Sequence, residues 1–498
     1  MLNGSTGNDE NAAERPAGPV PRSAQAAPPG AEPLPPAAES GRARSAESGQ
    51  PGADPVPPAA EPDPDRPAES PPDPAGRAAR ASEPTGRPWN RTVLRSNNER
   101  MLLEALRAAG TTSRAELARA TGLSKPTVST ALASLERAGL VRRTGEVARG
   151  QGRGRAAVLY EADPEAGFVL GVDVGRRWLR IAAADLDGRV VGRRDAPNTA
   201  RTASAMVRDA ARLARAVAEE AGLSWSQVVH TVVGSPGVTD PGTRRVRYAV
   251  NLPGWGRTGL VERLRAELGT GLDVMNDANL AALGEYALGA GQGARLFAYL
   301  WVGTGLGAGI VSDGKLFRGR HGAAGEIAYL PLSPLPDSAE KPSAEERTAG
   351  RAAYSTSTVP RGPMEDAVSA DAVVRLAHAL GMPAGTIRTA KDVFAAARAG
   401  DAVARAVVER EAARLAHAVA ALSAVLDPEL VVLGGGVGRN GDLLLGPLRR
   451  TLHSLTPLRP RVVSSTLGDD AVLLGAVALA ADAARERVFD TRNGSGTA

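Results

Sequence analysis

The sequence predicts an α/β protein in two folded parts, a winged helix-turn-helix over residues 91–162 followed by a large α/β domain over 166–484. Three observations predict it. At 498 residues the chain exceeds the size at which one hydrophobic core stops growing. The pattern is helical from Ser96 to Leu140. From Phe168 onward short β-rich runs (FVLGVDV, LRIAAADL, VVHTVVGS, LDVMN, RLFAYLWV, LVVLGG) alternate with alanine-rich helices. Charge divides the same way. Between Arg91 and Tyr160 there are 13 Lys/Arg against 5 Glu and no Asp, a local +8, while the whole chain carries +5 and the remainder is therefore −3.

Composition narrows the function classes. Apolar residues are 43% of the chain and aromatics only 3%, so the cores are aliphatic. With no cysteine, disulfides and thiolate metal sites are excluded, and His230, His321, His378, His417 and His453 show no ligand-like pairing. No metal and no cofactor are expected. No apolar run reaches bilayer length and no basic stretch precedes an apolar one at the N-terminus, so a cytoplasmic protein with no membrane partner is expected. Residues 1–88 hold 20 of the 37 prolines and read as a disordered Pro/Ala-rich tail. Residues 485–498, ending TRNGSGTA, read as a second frayed end.

In the first folded part, NNERMLLEALRA (97–108) pairs Leu102 with Leu106 at helical spacing. Ser113 and Glu116 form a capping box for a second helix, which Gly122 ends. Ser124 caps a third, with Pro126 in its first turn where the missing N–H costs nothing. Val128, Leu132 and Leu135 make its buried face. Lys125, Pro126, Thr127, Ser129 and Thr130 are then left at the end that a recognition helix points into the major groove of double-stranded DNA. A plain three-helix bundle is the bland alternative. The segment LVRRTGEVARGQGRGRAAVLYEA supplies two β runs around a basic glycine-rich wing. Arg153 and Arg155, flanked by glycines, fit two geometries there, insertion into a narrow minor groove or contact with phosphate alone.

In the second part, four motifs stand at strand ends: GVDVGRRW (171–178), NDAN (276–279), GTGLG (303–307) and LGGGVG (433–438). Each alone is a weak signal. Their order, Asp-x-Gly hairpin, Asp-bearing strand end, Gly-Thr-Gly hairpin and glycine-rich turn, is that of the actin-like ATPase architecture around its nucleotide cleft. With GSPGVTDP (234–241), NLPGW (251–255), HGAAGEI (321–327) and LGDDAVLLGA (467–476), the chain resembles the ROK family (repressor, open reading frame, kinase) over roughly Leu94 to Ala484. The resemblance includes the helix-turn-helix of the family's repressor branch. It implies a two-lobed actin-like, ribonuclease-H-like fold, a sugar site between lobes, and a homodimer or homotetramer.

Carried over residue by residue, the resemblance implies vestigial phosphate-binding positions at Asp173, Gly175, Gly303, Thr304 and Gly305. The family's kinases read Asp-x-Gly-Gly-Thr-Lys at the first hairpin, whereas here Arg176, Arg177 and Trp178 follow Gly175, so kinase activity is not expected. Asn251, Asn276, Asp277, Glu326 and Glu365 are the implied effector-binding residues. In a kinase Asp277 would be the catalytic base, and in a regulator the same carboxylate accepts sugar hydrogen bonds. Tyr329 replaces the family's histidine, and with no cysteines in PLSPLPDSAEKPSAEERTAGRAAYSTSTVPRG the zinc site of the family is excluded. The expected function is a sequence-specific DNA-binding regulator, a repressor, responding to a sugar or sugar phosphate. Two alternatives stand beside it: an ATP-dependent sugar kinase with a DNA-binding arm, and a ligand-free regulator whose kinase-like domain is only a dimerisation scaffold.

Overall fold

The structure is a computed structural model that describes residues 91–147, 157–240, 246–247, 252, 254–255, 259–269, 271–331 and 361–492. The expectations for the tail 1–88, for Arg153 and Arg155 of the wing, for Asn251 and for residues 493–498 fall outside them.

The winged helix unit begins with α1 (Arg91–Ala109), β1 (Thr112–Ser113), α2 (Arg114–Thr121) and α3 (Lys125–Arg137), and closes with β2 (Val141–Val147) and β3 (Ala157–Ala162). Local sequence fixes each boundary. The Ser113 hydroxyl accepts from the Glu116 amide while the Glu116 carboxylate takes the Ser113 amide, and Gly122 ends α2 in the left-handed conformation. Ser124 caps α3 by accepting from the Thr127 amide. The strands form an antiparallel sheet in the order β1-β3-β2, with Thr112 opposite Tyr160 and Val141 opposite Ala162. Leu102, Leu106, Leu117, Val128, Leu132 and Leu135 are buried between sheet and helices.

The large domain has two five-stranded sheets. The first, in the order β10-β7-β4-β5-β6, contains β4 (Phe168–Val174), β5 (Trp178–Asp185), β6 (Val190–Pro197), β7 (Val228–Ser235) and β10 (Gly271–Asn276). The first three form an antiparallel meander, and β7 and β10 run parallel to β4. Alternation along β4 divides its residues between two cores. Leu170, Val172 and Val174 face α4 (Ala203–Glu220) and α5 (Leu260–Leu268), and Val169 belongs to the opposite core. A small ribbon of β8 (Val238–Thr239) and β9 (Val246–Arg247) lies beyond β7.

From β10 the chain passes directly into α6 (Asp277–Leu288) and then into the second sheet, ordered β13-β12-β11-β14-β15. Its strands are β11 (Leu296–Val302), β12 (Leu306–Ser312), β13 (Lys315–Leu316), β14 (Leu430–Gly434) and β15 (Arg461–Ser464). Between β13 and β14 stand α7 (Pro363–Val368), α8 (Ala370–Ala379), α9 (Ala390–Arg398) and α10 (Ala402–Leu426). The short α11 (Gly435–Gly438) and α12 (Gly441–Leu455) follow β14, and α13 (Ala471–Arg492) ends the described chain.

Residues 485–492, read from the sequence as part of a frayed tail, are instead the last two turns of α13. Val488 and Phe489 are buried there, which outweighs the polar residues around them. Helix α13 crosses α6 at near backbone contact, because a β-carbon at Gly475 would collide with the Leu280 carbonyl and one at Gly284 with the Ala471 carbonyl. Its far end meets the winged helix. Arg100 of α1 bridges Glu486 and Asp490 and lies 4.5 Å over the Phe489 ring. Arg492 donates to the Gly139 carbonyl at 3.0 Å and to that of Ala166.

A single methyl at the α6–α13 crossing tests this packing. Gly475→Ala is expected to lower the thermal midpoint measured by calorimetry, at a cost of about 1–3 kcal/mol for an overpacked core. An unchanged midpoint would mean that the helices do not cross so closely.

Candidate functional site

Two sites emerge, one on α3 and one between the sheets. On α3 the side chains of Val128, Leu132 and Leu135 are buried, which turns Lys125, Pro126 and Thr130 outward as exposed residues and leaves Thr127 and Ser129 half-buried. The Thr127 hydroxyl sits 2.8 Å from that of Ser124, so part of its bonding capacity serves the helix cap.

The charge count of the winged helix looks different in three dimensions. Arg95 pairs with Glu99, Arg142 with Glu161, Arg143 with Glu136, and Arg100 with the α13 carboxylates. Arg114 donates to the Tyr160 hydroxyl and stacks on its ring. Among the described residues, Lys125 and Arg137 of α3 have no carboxylate ion-pair partner, nor do Arg107 of α1 and Arg114 of α2. The cations left for phosphate contact therefore include the two of α3.

The second site is a cavity lined by Asn276, Asp277, Trp301, Glu326, Tyr329 and Glu365, with the Gly303–Gly305 hairpin at its rim represented by Thr304 and Gly305. It brings together four of the five effector residues expected from sequence. Asn276 ends β10 and caps α6: its Oδ1 accepts from the Asn279 amide at 3.1 Å and its Nδ2 donates to the Gly237 carbonyl at 3.1 Å. It thereby seats Asp277, whose Oδ1 accepts from the Ala278 amide at 2.8 Å. Glu326 has no side-chain hydrogen-bond partner among the described residues. One oxygen of Glu365 accepts from the Leu306 amide at 3.4 Å.

These acids share one cleft in which each is at least half-buried. Asp277 retains some exposed area, yet enclosure by the cavity walls pushes its pKa up to about 7, against the Ala278 amide and with help from Asp173 and Glu326. Burial raises Glu326 to about 7, with Glu365 adding repulsion. Glu365 is also raised by burial, and Arg361 opposes the rise. Three carboxylates whose pKa values are raised thus line one concavity.

The phosphate-binding positions fare differently. Gly303, Thr304 and Gly305 form the tight turn between β11 and β12, where the Gly303 amide donates to the Gly305 carbonyl at 2.9 Å. Asp173 and Gly175 stand at the first hairpin, but Asp173 is buried beneath it. The Arg180 guanidinium lies 2.9 Å from the Asp173 carboxylate, and burial nonetheless lifts this acid to about 6. Arg180 also approaches Asp195, which joins Arg193, and Arg193 grips Asp470 at 2.7 Å just before α13. Arg176 and Arg177 are exposed, and Trp178 is 42% exposed. The sequence reading missed Arg180, Arg193, Trp301 and Arg361. Only Trp301, flanking the Gly-Thr-Gly turn, had a local signal.

Comparison with known proteins decides the family. The ROK family pattern matches residues 169–483. The chain belongs to the ROK family. A MarR family pattern matches residues 96–154, over the winged helix. A glucokinase from Halalkalibacterium halodurans is 33% identical over 62% of this chain and 93% of its own. The xylose repressor of Caldicellulosiruptor bescii is 26% identical over 78% of this chain and 96% of its own. Among solved structures, a ROK family transcriptional regulator described as a homologue of the E. coli MLC protein aligns with a TM-score of 0.65, 22% identity, 81% coverage of this chain and 100% of that one. It supports the fold of the ROK domain and winged helix together. A ROK glucokinase from Streptomyces griseus, in complex with glucose and AMPPNP, aligns over 64% of this chain and all of its own, with a TM-score of 0.52 and 30% identity. The zinc site that ROK membership suggests does not fit these residues, since the chain has no cysteine and Tyr329 stands where a histidine ligand would be.

The acids of the ROK cavity give a pH signature. Because Asp277 holds its proton more tightly folded than unfolded, its contribution to stability is full below the ordinary carboxyl range and is lost as pH rises through about 7. Asp277→Asn removes that loss. The thermal midpoint of the variant relative to wild type is therefore expected to climb between pH 5 and pH 8, and a constant difference would contradict the burial of this charge.

Proposed function

We propose that this chain is a DNA-binding transcriptional regulator, acting as a repressor, whose ROK domain holds an effector sugar or sugar phosphate and does not transfer phosphate. The observation that carries the reading is the treatment of the first hairpin. Arg176, Arg177 and Trp178 bring bulk where phosphate must approach the backbone, and Arg180 already neutralises Asp173. The intact cavity carboxylates support ligand binding, and the name of the xylose repressor relative supports the sign of regulation. The protein acts where the DNA is, in the cytoplasm. Among the described residues no helix is long and apolar enough to cross a membrane. A homodimer or homotetramer would place two α3 helices on a two-fold operator, and the ligand would act through its differential affinity for two arrangements of them.

Fluorescence anisotropy with DNA from upstream of the gene tests the first half. Replacing Lys125 and Thr127 together is expected to relax sequence preference. A Lys125 replacement alone should weaken binding by removing one phosphate neutralisation, with the slope of log affinity against log salt falling by ~1. Unchanged operator binding in both variants would remove α3 as the reading helix.

A kinase reading draws on Asp277, whose pKa of about 7 suits a general base, and on the glucokinase relatives. Nucleotide turnover with a panel of hexoses separates the two. No turnover, with one sugar altering DNA affinity, is the expected result. Turnover abolished by Asp277→Asn would make the protein an enzyme.

A further inference from the structure

Where the described chain resumes after residue 331, its first side chain is Arg361, and that side chain faces the cavity. Its Nε lies 3.2 Å from the Glu365 Oε1, one helical turn away. Its Nη2 donates to the Thr304 carbonyl at 3.2 Å and stands 3.4 Å from the Asp371 carboxylate. One guanidinium thus spans α7, the Gly-Thr-Gly turn and the first turn of α8. Its side chain is 22% exposed and meets three acceptor groups, an arrangement that a planar fork holds better than a point charge would.

The neighbouring backbone has no slack. Gly362 lies so close to the Ala328 carbonyl that a β-carbon would collide with it, which presses the start of α7 against the Ile327–Tyr329 turn following Glu326. The Ala370 amide donates to the Gly303 carbonyl at 2.7 Å, a second tie between α8 and the same hairpin. Glu365 is consequently held from two sides, by Arg361 on one oxygen and by the Leu306 amide on the other. The charged groups acting on it are Arg361, Asp366 and Asp371, while Glu365 in turn repels Glu326.

We propose that Arg361 is the positioning residue of the cavity, bracing Glu365 against the β11–β12 hairpin so that Glu365 and Glu326 present their carboxylates at a fixed spacing. The inference rests on the proposed ligand-binding role of the cavity for its functional meaning, but its test uses no ligand.

Hydrogen–deuterium exchange of the full-length protein reads the brace directly. In Arg361→Met, amides of residues 303–306 are expected to exchange roughly tenfold faster, the scale of losing a charge-assisted hydrogen bond. The carboxyl of Glu365, followed by carbon NMR in glutamate-labelled protein and assigned with Glu365→Gln, should titrate at higher pH once its cation is gone. Arg361→Lys is expected to keep the Glu365 titration near wild type, because charge remains, while still loosening the hairpin, because the fork is lost. This variant keeps the proposal testable should the methionine form fail to fold. Wild-type exchange at 303–306 in either variant, or an unmoved Glu365 titration in the methionine form, would overturn it. Neither result bears on whether a sugar alters DNA binding.

Discussion

The close crossing of α6 and α13 is the constraint on which the arrangement depends. Two glycines let the helices meet at backbone distance, and α13 then lies across β4, β5 and β7, covering one face of the first sheet. Its start is tied to β6 through Arg193 and Asp470, and its end to α1 through Arg100. Helix α6 begins at Asp277, within the cavity. The cavity carboxylate Asp277 and the winged helix are therefore attached to two helices that cannot separate without breaking the core. The alanine-rich composition has a purpose here, since small side chains permit such approach where leucine would not.

The fold of the winged helix was legible because its determinants are local. Ser113, Glu116, Gly122, Ser124 and Pro126 act within four residues of their partners, and the buried trio of α3 follows from periodicity alone. Six strands of the large domain could be read as apolar runs. Strand β6, VVGRRDAP, could not, because it is an edge strand with mostly exposed side chains and holds its place through ladder bonds to β5. The final turns of α13 were misread for the opposite reason: Val488 and Phe489 are buried against residues far away in the chain, among them Arg100 over the Phe489 ring.

At the candidate site the family motifs named the acids but not their partners. Asp277, Glu326 and Glu365 could be located from the pattern, and the cavity gathers them. The arginines nearby are invisible to pattern reading, since Arg361 acquires meaning only from Glu365 and Arg180 only from Asp173. The same holds in the winged helix, where the sequence count of charges overstated what faces DNA. Several arginines there are neutralised within the fold, and the remaining cations of α3 matter more than the total suggests.

The seam between α1 and α13 joins residues made at very different moments of synthesis. The winged helix leaves the ribosome some 310 residues before α13, which at typical elongation rates is on the order of 15–60 s. Throughout that interval Arg100 has neither Glu486 nor Asp490 to pair with, and Phe489 does not yet exist. A chain cut short by incomplete translation would carry a DNA-reading unit without its support. Full stability of that unit is reserved for molecules whose regulatory domain has been completed, so the topology links the quality of one end to the existence of the other.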